Sequence, residues 1–143
     1  MSQATYDDVT LILRLYELRR EPTMRAARAW FSANFKYKTA AEFNQHCPPG
    51  SETNAWARQA ISYWDMVASF VISGVLNQEL FFQSGRELLF VWLRVEPLIP
   101  ETRAAFKDPN YWKNLETVGK QFAEYSKKNS PEGFEAFAAR VRG

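Results

Sequence analysis

The chemistry available to this chain of 143 residues is concentrated in a few side chains. His46 and Cys47 are neighbours, the pairing from which a nucleophile and its base are made. Asp65 sits among Tyr63, Trp64, Met66 and Val67, where a carboxylate needs a charge or hydrogen-bond partner. Arg14, Arg19, Arg20, Arg25, Arg28, Lys36 and Lys38 form a basic stretch diluted only by Glu17 and Glu21.

Each group has a structural reading beside the functional one. Adjacent helical residues do not face each other, and no oxyanion-stabilising loop accompanies His46-Cys47, so that pair reads as structural. One histidine and one cysteine exclude an internal disulfide and the usual zinc sites, so no metal is expected. There is no glycine-rich phosphate loop, and no cofactor is expected. Asp65 reads first as half of an ion pair with Arg25 or Arg28, and second as a ligand-binding or catalytic acid. No second carboxylate is spaced to make an acid/base or di-metal pair with it. The arginines are spread around two helices, which suits a solvated surface; an anion-binding patch is the alternative. A net charge of +2 and the lack of a recognised motif argue against a nucleic-acid partner.

The elements that must position these residues are all helical. A central hairpin spans Trp56 to Arg94, with a stop at Gly74 and a new start at Asn77. Its first helix opens at Ser51 and carries a thin polar stripe of Arg58, Ser62, Asp65, Ser69 and Ser73 opposite its apolar face. Its second helix has a polar face of Gln83, Arg86, Glu87 and Arg94, from the middle of which Phe90 projects. Before the hairpin, one helix starts at Thr5 and a second at Pro22. The first of these is apolar almost all round, through Val9/Ile12/Leu13/Tyr16 and Leu11/Leu15/Leu18. Thr39-Ala40-Ala41-Glu42 is a capping box that opens a short helix ending near His46. After the hairpin, Pro97 and Pro100 break the chain, and a turn is expected around Glu101 to Phe106. Asp108-Pro109 and Ser130-Pro131 read as starts of two amphipathic helices. The expectation is one all-α domain over residues 1–143, a single compact bundle of five longer helices and one or two short ones.

From Tyr63 onward the chain resembles a bacterial all-helical family, domain of unknown function four thousand seven hundred and sixty. The resemblance rests on Tyr63-Trp64-Asp65 and Gly74-Val75-Leu76-Asn77-Gln78-Glu79-Leu80, and extends to Trp92, Arg103 and Asn110-Tyr111-Trp112. It implies an all-helical domain with no assigned activity and no catalytic set.

Hydrophobic content of 46% and charged content of 24% are those of a folded protein. No apolar run approaches the roughly 18 residues of a membrane helix, and the polar N-terminus does not read as a secretory signal, so a cytoplasmic location is expected. The favoured function is a non-catalytic interaction module that pairs with itself through Leu11, Leu15, Leu18 and Phe90. The alternative is a binding domain for a small anion or nucleic acid built on Arg25 and Arg28, with Arg58 and Asp65 as further ligand-binding candidates. An enzyme using Asp65 in an aromatic pocket is the third reading.

Overall fold

The computed structural model describes residues 3–143. Its helices, in chain order, are α1 (Tyr6–Arg19), α2 (Pro22–Asn34), α3 (Ala40–His46), α4 (Glu52–Ile72), α5 (Gln78–Ser84), α6 (Arg86–Val95), α7 (Ile99–Phe106), α8 (Lys113–Asn129) and α9 (Pro131–Arg142). A single 3-10 turn, Glu96–Leu98, joins α6 to α7. No strand occurs among the described residues, and the protein is all-α. None of these helices is long and apolar enough to cross a membrane.

Most helix starts are set by short-range capping. The Thr39 hydroxyl accepts from the Glu42 amide at 3.1 Å, the Ser51 hydroxyl from Asn54 at 3.2 Å, and Asn77 Oδ1 from Leu80 at 2.9 Å. Pro22 opens α2, where the Glu21 carboxylate accepts from the Met24 amide at 2.9 Å. Gly74, with φ 84°, ends α4 in a left-handed conformation that costs glycine nothing.

The turn expected around Glu101 to Phe106 is a full helix, α7, and two boundaries differ from the sequence expectation. The second helix of the hairpin divides at Gly85, so α5 and α6 replace one continuous helix. A Cβ at Gly85 would enter the Phe81 ring, which lies across the backbone at the break. The helix expected from Asp108-Pro109 begins only at Lys113. Asp108 instead closes a turn, its Oδ1 accepting from the Asn110 amide at 2.9 Å, and Trp112 adopts φ 57°.

One contiguous hydrophobic cluster runs from Leu15 to Val141 and draws on α1, α2, α4, α5, α6, α7, α8 and α9. Around α4 pack α2 and α8, while α6 lies against α8 and α9. Large rings fill the centre: Phe31 stacks on Phe35 with centroids 4.6 Å apart, and Phe82 on Phe122 at 4.2 Å. Arg94 is buried in this core rather than on a polar face. Its Nε donates to the Val141 carbonyl at 2.6 Å and its Nη1 to the Phe35 carbonyl at 2.9 Å. Those acceptors lie at the C-terminal ends of α9 and α2, where a cation offsets the helix dipoles. Burial without a carboxylate partner pulls the Arg94 pKa below its ordinary value.

Candidate functional site: an arginine cleft and an exposed helix face

The spacing of Arg86, Phe90 and Arg94 along α6 puts all three on one helix face. Arg94 is drawn inward and its guanidinium lies over the Phe90 ring, 4.6 Å from the centroid. Phe90 is half-buried and meets Phe31 of α2 edge-on at 6.1 Å. Arg86 stays exposed and lies over Phe137 of α9 at 4.5 Å. Between Arg86, Phe90 and Phe137 on one side and Arg25, Arg28 and Ser32 of α2 on the other opens a cleft of 520 Å³.

Glu87 is the anionic node of the cleft wall. Its two oxygens accept from Arg28 Nε and Nη2, both at 2.7 Å, a bidentate fork-to-fork pair. Trp64 Nε1 adds a third donor at 3.2 Å, and Arg19 Nη1 stands 3.7 Å away. The bond to Glu87 raises the Arg28 pKa, so this guanidinium stays charged and fixed. Arg25 has no carboxylate within salt-bridge distance among the described residues, and neither has Arg86.

The sequence candidates divide between several places. Arg25, Arg28 and Phe90 come together in the cleft. Asp65 and Arg58 do not join them. The expected pairing of Asp65 with Arg25 or Arg28 is absent: Asp65 Oδ1 accepts from the Leu115 amide at 2.9 Å and caps α8. Arg58 Nε donates to Asn54 Oδ1 at 2.9 Å and borders a separate hollow with Tyr111 and Trp112. His46 and Cys47 also part company. His46 Nδ1 lies 3.0 Å from the Glu42 carbonyl, while the buried Cys47 Sγ lies 3.4 Å from the Tyr37 hydroxyl. No cluster of metal-ligating side chains occurs among the described residues.

On α1, the expected contact set also shifts. Leu15 points into the core at 6% exposure, and its carbonyl accepts from the Tyr63 hydroxyl. Burial, its largest cause, pushes the Tyr63 phenol up to about 12. Leu11 packs against the core, whereas Leu18 is exposed by 40%. The outward face also carries Tyr6, Val9, Leu13 and Tyr16, exposed by 90%, 43%, 58% and 51%. Beside it runs an apolar groove of 320 Å³ walled by Ile12, Tyr63, Trp64 and Phe81.

Residues 4–122 match the model of the family described as Domain of unknown function (DUF4760). The chain belongs to that family. No curated protein and no solved structure matches it. The DUF4760 match covers α1 to α7 and part of α8, so the cleft joins family residues of α2 and α6 to Phe137 of α9, which lies beyond the matched stretch.

Sequence reasoning missed Glu87, Arg86 and Phe137 as parts of one site. The available signal was Phe90 with arginines four residues to either side, a spacing that aligns them on one face. What α2 and α9 place opposite that face is a tertiary fact.

Proposed function

We propose that this DUF4760 domain is a single folding unit in the cytoplasm that acts as a non-catalytic interaction module, pairing with a second copy of itself through α1. The observation that supports this is the exposed row Tyr6, Val9, Leu13 and Tyr16. Steps of three, four and three keep the row on one helix face. The row also mirrors itself about position 11, so an antiparallel two-fold pairing sets Tyr6 against the partner's Tyr16 and Val9 against the partner's Leu13. Self-complementarity of this kind is what an isologous interface requires. Antiparallel packing also opposes the two helix dipoles favourably. The neighbouring groove widens the apolar area available to a partner. A single reduced cysteine, buried and unpaired, fits the location.

Sedimentation equilibrium tests the reading. The protein is expected to be dimeric at tens of micromolar, and Leu13→Glu to raise the dissociation constant by ~100-fold, about 2.7 kcal/mol, while the helical spectrum is unchanged. A monomer at those concentrations, or a dimer indifferent to Leu13→Glu, would overturn it.

A further inference from the structure

We infer that the cleft between α2, α6 and α9 binds an organic anion, with a carboxylate or phosphate held by Arg25 and Arg86 and a flat apolar body resting on Phe90 and Phe137. The inference does not depend on α1. Charge points to the first half of the ligand. Arg25, Arg28 and Arg86 line the cleft with one carboxylate, Glu87, which Arg19 also reaches from α1. That carboxylate is already engaged by Arg28 and Arg19, and among the described residues no carboxylate pairs with Arg25 or Arg86. Arg28 is clamped in place and forms a fixed cationic wall. Arg86 lies over Phe137, where stacking occupies a face of the guanidinium and leaves its N–H edge free to fork onto an oxyanion.

Shape points to the second half. A cleft of 520 Å³ falls within the roughly 300–1,000 Å³ of small-molecule sites and is far larger than an inorganic anion fills. Its floor is apolar, formed by Phe31, Val91 and the Phe90 ring, which Arg94 backs from the core side. Phe137 of α9 lines the same cleft beside the Arg86 guanidinium. A ligand with only a charge leaves that floor wetted, and a ligand with only an apolar body leaves Arg25 and Arg86 unused.

Calorimetric titration of the full chain with naphthoate, naphthyl phosphate, neutral naphthalenemethanol and inorganic phosphate tests both halves. Naphthoate or naphthyl phosphate is expected to bind at least ~10-fold more tightly than naphthalenemethanol, and more weakly as salt rises. Whichever of the two anions binds more tightly identifies the head group. The double variant Arg25→Ala, Arg86→Ala is expected to weaken the aromatic anions by ~10-fold or more and leave the neutral probe unchanged. Arg14→Ala, which removes an equal charge from α1, is expected to change nothing. Four results would each overturn the inference: equal binding of the neutral probe, inorganic phosphate binding as tightly as naphthyl phosphate, an unaffected double variant, or no binding of any probe at millimolar concentration. Both arginines are exposed, and unchanged melting of the double variant confirms that its fold is intact.

Discussion

At the scale of the residue, Asp65 and Asp8 are spent on backbone amides. Trp112 precedes α8 with φ 57° and no side-chain oxygen, so the first turn of that helix needs an acceptor from elsewhere. Asp65 supplies it from α4, fifty positions away in the chain. Asp65→Ala is expected to cost about 1 kcal/mol, the usual value of a lost cap, and Asp65→Asn appreciably less because its oxygen still accepts. Urea titration of the two variants measures the difference. Asp8 does the same work for two segments at once. Its Oδ2 accepts from the Thr5 amide at 2.8 Å and its Oδ1 from the Asn77 amide at 2.7 Å, which ties the start of α1 to the start of α5. The Thr5 amide first, and the Asn77 amide second, hold its pKa below the ordinary 3.8. In the window between the two values the unfolded chain binds more protons than the folded one, so stability rises with pH there. The contribution is complete above about pH 5 and is lost as pH falls through the folded-state value. Thermal melts over that range are expected to show a falling midpoint toward acid, and Asp8→Asn to flatten part of the slope. Glu21 and Glu116, whose values are also lowered, leave the remainder.

At the scale of the element, contacts between helices turn on small residues as much as on large ones. Gly119 lets α8 approach α6 so closely that a Cβ there would stand 2.7 Å from Trp92 Cβ. Alanine at Gly119 gains about 1 kcal/mol in helix propensity but overpacks a site where the neighbour is the root of a side chain. Overpacking of this kind costs about 1–3 kcal/mol, so a net loss of stability is expected, read as a lowered urea midpoint with an unchanged slope. The contrast explains what was legible beforehand. Thr39, Ser51, Asn77 and Gly74 act through neighbours within a few positions, and each lies where its local signal puts it. The late start of α8 was not legible, because the acceptor for its first turn is the distant Asp65. The break at Gly85 turns on how the nearby Phe81 ring packs, which spacing alone does not give. The site divides the same way. Phe90 and its flanking arginines are visible as a mismatch on one helix face, whereas the pairing of Arg28 with Glu87 joins positions that only folding brings together. The inward turn of Arg94 likewise depends on carbonyls supplied by other helices.

At the scale of the whole molecule, the question is whether α9 is an appendage or part of the folding unit. The family match ends within α8, yet Phe134, Ala138 and Val141 of α9 are buried in the same cluster as the helices before it. Val141 also presents the carbonyl that binds Arg94 Nε, and Phe137 lines the cleft. Ending the chain after Asn129 removes these contacts together and leaves Arg94 with one acceptor fewer in a buried place. Exposing the surface that Phe134 and Val141 cover costs about 1.5–3 kcal/mol for each side chain. Loss of a hydrogen bond from a charged donor adds about 1.5–3 kcal/mol. The sum is comparable with the total stability of about 5–15 kcal/mol that a domain of this size possesses. The full chain is therefore expected to unfold in one transition, with fluorescence and far-ultraviolet dichroism coincident. The chain ending at Asn129 is expected to melt at least ~10 °C lower or with a broadened transition, from the relation between lost free energy and midpoint in domains of this length. A truncated protein that melts with the same midpoint and sharpness would show that α9 docks on a core complete without it, and the cleft would then be a junction between two units instead of a groove in one.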